Sequence, residues 1–174
     1  MLQLVKYPNK SLNVPCVPVT VYDLDLQNQI NAMCDAVEQF HGYALAANQV
    51  GFNNRIFVIS DSPDLKIFNG ITNDPPVDRP KVYINPIMLD PQGETRYKES
   101  CLSMPGVSAW NKRYDNFTLV YQDRQGNIHR TIANGLFAIV CQHEMEHLDG
   151  KLFVDKLDFF EKAKIQPKLN KLRR

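Results

Sequence analysis

The pentapeptide His143-Glu144-Met145-Glu146-His147 is the strongest chemical signal in the chain. Residues four apart are neighbours on one helix face, so both imidazoles can reach a single metal ion, with the glutamate after the first histidine on its open side. This spacing serves metal-activated hydrolysis. The plainer reading is a solvated helix face with incidental spacing. Leu136, Ile139, Val140 and Leu148 argue against it, because they put the pentapeptide at the wall of a core or cleft.

A hydrolytic metal site uses three protein ligands, and the pentapeptide supplies two. Metzincin proteases place a third histidine three residues beyond a glycine; here Gly150 is present but Phe153 occupies the required position. Glu161, the only glutamate after His147, is closer in sequence than a thermolysin-like arrangement allows. The third ligand is therefore expected upstream. Cys101, within Glu99-Ser100-Cys101-Leu102-Ser103-Met104-Pro105-Gly106, is the candidate, although a lone cysteine is more often a small buried apolar residue than a ligand. A second stretch, Gly42-Tyr43-Ala44-Leu45-Ala46-Ala47-Asn48-Gln49, has small residues that allow close backbone approach and ends in a side-chain amide donor.

These residues need elements to hold them. Leu26, Ile30, Met33, Cys34 and Val37 recur at helical spacing, which predicts a helix over about 23–40 with Asp23 as its cap and Gly42 as its stop. Arg55 to Ile59, Lys81 to Asn85 and Phe117 to Tyr121 are short β-branched and aromatic runs, expected as strands. The last continues through Asp123-Arg124-Gln125-Gly126-Asn127 into Ile128 to Ile132 as an antiparallel hairpin. Ser62 to Pro80 reads as a long polar loop. Leu136, Ile139, Val140, His143 and His147 predict a helix opened by Asn134 and closed by Gly150, and a last helix from Asp158 to about Lys171 meets a break at Pro167. Strands without βαβ alternation before a central helix indicate an α+β fold, with antiparallel or mixed sheets packed around the helix that carries the pentapeptide, plus an N-terminal and a C-terminal helix.

Composition bounds the rest. With 174 residues, 44% hydrophobic and 22% charged, the chain fits one domain with a real core, 1–174, and excludes disorder and coiled coil. A net charge of +1 gives no bulk signal for sequence-specific nucleic-acid binding. Cys16, Cys34, Cys101 and Cys141 are too sparse for a disulfide scaffold, which together with the lack of a targeting or membrane-spanning run leads us to expect a reduced, cytoplasmic protein. The balance is uneven. From Lys156 to Arg174 seven basic residues face only Asp158 and Glu161. The basic tail over 158–174 reads equally as a solvated helix face or a polyanion contact.

Together the three segments resemble the signature motifs of the peptide deformylase family, in order and at about the right separation. Gly42 to Gln49 matches Gly-x-Gly-Leu-Ala-Ala-x-Gln with Ala44 for the second glycine. Glu99 to Ser103 matches Glu-Gly-Cys-Leu-Ser with Ser100 for glycine, and Gln142 to Leu148 matches Gln-His-Glu-x-Asp-His-Leu with Glu146 for aspartate. The opening segment, Tyr83-Ile84-Asn85-Pro86 and Gly150-Lys151-Leu152-Phe153 extend the likeness over essentially the whole chain, leaving 66–78 as an insertion.

The resemblance implies that Cys101, His143 and His147 bind one divalent metal with water in the fourth position, ferrous iron in the cell and zinc, nickel or cobalt in purified protein. It implies Glu144 as the proton carrier, with the Gln49 amide and the Leu102 N–H at the developing oxyanion. Glu99, Arg113, Gln142 and Glu146 stand behind the ligands, Glu146 pairing with Arg113. The substrate implied is an N-formylmethionyl nascent peptide, which loses formate. Leu136, Ile139 and Val140 would line the methionine slot with Tyr43 and Tyr97, while Ala44 adds a β-carbon where the substrate backbone approaches as an added strand. A monomer and ribosome contact through the basic tail also follow from the likeness. The competing readings are a metallopeptidase that cuts internal amides, and a catalytically silent homologue that binds peptide N-termini.

Overall fold

The computed structural model describes residues 2–60 and 81–173. The loop expected over 62–80, with its insertion at 66–78, and Arg174 lie outside the described residues. Helix α1 (Leu24–Gln39) buries Leu26, Ile30, Met33, Cys34 and Val37 on one stripe, and the Asp23 carboxylate accepts from the Leu26 N–H at 2.9 Å. Its other end departs from expectation. His41, not Gly42, takes the left-handed turn at φ 51°, while its N–H reaches Glu38 O and the Gly42 N–H reaches Val37 O, both at 3.0 Å. These two bonds satisfy the last carbonyls of the helix. Gly42 matters for a different reason: a β-carbon there would meet Leu102 Cδ1 at 2.7 Å, so the Leu102 side chain would have to shift.

Strands β1 (Ala44–Ala46), β2 (Ile56–Ile59), β3 (Lys81–Gln92), β6 (Asn116–Gln122) and β7 (Ile128–Asn134) form one antiparallel sheet in the order β1-β2-β3-β6-β7. The β6–β7 hairpin is as expected, and β3 is longer than its apolar run. It continues past Pro86 and Pro91 because register shifts fall between Ile84 and Ile87 and between Leu89 and Gln92. At each shift the residue before the proline, Asn85 or Asp90, has a positive φ. A bulge tolerates the missing N–H that a regular ladder would lose. Strands β4 (Thr95–Ser100) and β5 (Ser108–Arg113) form a separate antiparallel pair that the sequence reading did not anticipate.

Helix α2 (Gly135–Leu148) carries the pentapeptide and is buried along most of its length against β1, β2 and β7. Asn134 occupies its N-cap position but makes no side-chain cap hydrogen bond, contrary to expectation; Gly135, at φ 53°, makes the entry turn. Phe137, Ala138 and Cys141 of α2 join Phe57, Tyr83 and Phe117 in the central core, where the Phe57 and Tyr83 rings stack at 4.7 Å. Helix α3 (Phe159–Leu172) is continuous through Pro167, which corrects the expected break. Its buried stripe is Glu161, Ile165 and Leu169, while Pro167 faces solvent, so the lost backbone bond lies on the wet side. That stripe closes another core cluster, with Leu12, Met104, Leu152, Phe153 and Cys101. Cys101 and the pentapeptide therefore meet where two separately built cores abut.

Candidate metal centre and cleft

Cys101 leaves the end of β4, and α2 carries His143 and His147. Packing these two elements brings one ligand atom from each residue within 4.8 Å of the others. The Cys101 Sγ lies 3.2 Å from His147 Nε2. A soft thiolate with two imidazoles at this mutual distance fits one tetrahedral divalent ion with a fourth position free, as the chemistry of the donor set demands. None of the four cysteines forms a disulfide, and all four are buried.

Behind the ligands is a chain of charge. His143 Nδ1 lies 2.9 Å from Glu99 Oε2, so the proton on Nδ1 points to the carboxylate and Nε2 keeps its lone pair for a metal. Arg113 donates to Glu99 through Nε at 2.6 Å and Nη2 at 2.7 Å, and to Glu146 through Nη1 and Nη2. Lys156 adds an ion pair to Glu146. Burial alone would raise the Glu99 carboxyl, but the hydrogen bonds from His143 and Arg113 outweigh it and hold the group below its usual range. Until a metal takes Nε2, His143 is held well above the usual imidazole range, since contacts with Cys101 and Glu99 and the charge of Glu144 overcome its burial; binding a metal there would release that proton. His147 is pushed well below that range by burial and by the charges of His143 and Arg113, which keeps it neutral as a ligand must be.

Gln49 is fixed at both ends of its amide. The Ala46 N–H donates to Oε1 at 2.8 Å, which turns Nε2 toward Ser103 Oγ at 3.1 Å and Cys101 Sγ at 3.5 Å. Glu144 is buried and its Oε2 has no hydrogen-bond partner. Burial pushes its carboxyl up to about 7, against the pull of His143 and the Ala46 N–H. A buried acid poised near neutrality, beside a donor set for a metal, is suited to taking and returning a proton.

A cleft of about 560 Å³ opens onto this cluster. Leu136, Ile139 and Val140 give it an apolar stretch, and Tyr43, Ala44 and Tyr97 line it together with Gln49, Cys101, Leu102, Glu99 and Glu144. Arg113, Gln142 and Glu146 lie outside it. Gln142 instead bridges Tyr114 N (2.9 Å) and Tyr114 O (3.0 Å), tying α2 to the β5–β6 turn. Sequence reasoning missed Ser103 as a partner of Gln49, although it lies in the stretch around Cys101. It also missed Asn48, whose buried Nδ2 donates to His147 O at 2.6 Å, and Lys156. No local pattern marks Lys156, because its partner Glu146 is reached only when the turn that follows α2 folds back beside that helix.

The family model for polypeptide deformylase matches residues 1–163. Peptide deformylase 1 of Shewanella oneidensis is 37% identical over 171 residues, covering 98% of this chain and 95% of that protein. Peptide deformylase 2 of Xanthomonas campestris pv. campestris is 37% identical over 177 residues, covering 100% and 97%. Among solved structures, a Plasmodium falciparum peptide deformylase in complex with an inhibitor aligns with TM-score 0.84 and 31% identity over 99% of both chains. A Legionella pneumophila peptide deformylase aligns with TM-score 0.84 and 31% identity, covering 100% of this chain and 96% of that one.

Proposed function

The chain belongs to the polypeptide deformylase family, and from that premise we propose how its residues share the removal of formate from an N-formylmethionyl peptide. The observation that carries the reading is the convergence of Cys101, His143 and His147 under a cleft that also holds Gln49 and Glu144. Cys101, His143 and His147 would hold a divalent cation, and the chemistry it would supply there is Lewis acidity toward a carbonyl and a lowered pKa for water. Glu144 accepts the proton of the attacking water at its unpartnered Oε2 and delivers it to the departing amine nitrogen. The oriented Gln49 Nε2 and the Leu102 N–H meet the negative charge that develops on the formyl oxygen. Leu136, Ile139 and Val140 exclude water around the methionine side chain, with Tyr43 and Tyr97 flanking it. Glu99, Arg113, Gln142 and Glu146 hold the ligands in register.

β1 pairs only with β2, and β4 only with β5, among the described residues. Both border the cleft, which supports substrate binding as an added strand that reads main chain and tolerates varied sequence. The family match favours a deformylase over a peptidase for internal bonds. We assign ferrous iron as the cellular metal, the whole chain as one domain acting as a monomer in the cytoplasm, and contact of the basic α3 with the ribosome as the route to nascent chains. Among the described residues no helix is long and apolar enough to cross a membrane.

The test is formate release from formyl-Met-Ala-Ser by anaerobically prepared protein whose metal content is measured on the same sample. Release that requires the metal and fails with unformylated or internal amides is expected. Cleavage of internal bonds would favour the peptidase reading, and metal binding without release would favour the silent homologue.

A further inference from the structure

We propose that Lys98 gives this enzyme a preference for substrates with an acidic residue soon after the formylmethionine. The proposal rests on the deformylase reading and adds a charge selection to it. Lys98 lies on the cleft wall and is exposed. In β4 it stands opposite Trp110 of β5, so it shares the outward face of that pair with Trp110 and, one pair further on, with Arg96 and Lys112. Those two cations have carboxylate neighbours: Arg96 lies 3.9 Å from Asp158 and Lys112 lies 2.7 Å from Glu94. Lys98 has none among the described residues.

The carboxylates of the cleft do not offset it. Glu99 is already engaged by Arg113 and His143, and Glu144 is buried at the metal ligands. Among the described residues that line the cleft, Lys98 is the only lysine or arginine. Among the described residues, the cleft lining therefore carries one exposed cation and no exposed carboxylate to match it.

Geometry says which part of the substrate meets it. Lys98 precedes Cys101 by three residues, and an extended strand advances about 3.3 Å per residue, so Lys98 lies about 10 Å from the ligand along the strand. A peptide leaving the metal beside the unpaired edge of β4 covers that distance in about three residues. Alternate side chains of the added strand fall on the face that carries Lys98. There an acidic side chain makes a cross-strand pair of opposite charges and a basic one is repelled, a difference of about two- to fivefold in rate at low substrate.

The experiment compares kcat/KM for formyl-Met-Ala-Ala-Ala with peptides carrying one Glu or one Lys at the second, third or fourth residue. The Glu/Lys ratio is read within each protein, so any general loss of activity cancels. We expect a ratio of about two to five at one of these positions or at two alternate ones, shrinking in 0.5 M salt, close to one in Lys98→Ala and below one in Lys98→Glu. A ratio that Lys98→Glu leaves unchanged, with formate still released from the uncharged parent, overturns the role of Lys98 and spares the deformylase reading. Failure to release formate from the parent peptide overturns both.

Discussion

Glu144 concentrates the electrostatic tension of the site in one side chain. Its carboxyl is buried and its free acid form is favoured up to about pH 7, against an ordinary value of 4.5. A carboxyl whose folded pKa is raised binds its proton more tightly in the folded state. Its contribution to stability is therefore complete below about pH 4.5 and is lost as pH rises through about 7. For metal-stripped protein we expect this group to lower stability by about 3 kcal/mol between pH 4 and pH 8. Glu144→Gln should remove that part of the slope. Urea denaturation of both proteins at several pH values measures it, and parallel profiles would contradict the assignment. Gln49 shows the complementary strategy: its orientation comes from a main-chain N–H of its own turn, so the donor is aimed before substrate arrives.

At the scale of elements, Arg113 is the joint between the β4–β5 pair and α2. It is almost fully buried and holds Glu99 of β4 and Glu146 of α2 simultaneously. The fork of the guanidinium matches two carboxylates in a way that one ammonium does not. Arg113→Met leaves two buried carboxylates without their shared partner, and a loss of about 3–5 kcal/mol of stability is expected. Arg113→Lys should recover only part of it, because Lys cannot serve both carboxylates bidentately. Chemical denaturation gives the stability. Cobalt-substituted protein gives the ligand geometry, and an unchanged visible spectrum in Arg113→Met would show that the joint does not position the metal ligands. Glu146 fits the same joint: in place of the family's aspartate, its longer side chain reaches both Arg113 and Lys156.

At the scale of the whole molecule, charge is segregated. α3 buries a single stripe, so Lys162, Lys168 and Lys171 remain on the solvent side. Phe159 and Phe160 stand beside them, 79% and 74% exposed, with rings in edge-to-face contact. A face of cations with exposed aromatic rings suits a polyanionic, base-containing partner. Reversing Lys162, Lys168 and Lys171 to Glu should abolish co-sedimentation with ribosomes at low salt while formate release from a short peptide persists. Co-sedimentation that survives the reversal would remove the ribosome from the reading. These three side chains are exposed, so the substitutions leave the Ile165 and Leu169 packing intact.

Some features were legible because local chemistry is enough to specify them. A pair of histidines four apart on a helix, Asp23 at the start of α1 and the Asp123 to Asn127 turn are set by residues that touch within one or two turns of chain. The family likeness carried the ligand set by matching short motifs. Other features depend on contacts far apart in sequence. The β4–β5 pair lacks an apolar run because one of its faces is solvated and the other holds the buried charges of Glu99 and Arg113. β3 outlasts its prolines because bulges against β6 absorb them. α3 ignores Pro167 because burial of Ile165 and Leu169 outweighs one hydrogen bond on the wet side. By itself the sequence determined the chemical groups of the centre and the helix that carries two of them. Only the tertiary structure decided their charge state, their aim and the cleft before them, because burial, shared ion pairs and the meeting of two cores arise only when distant segments pack.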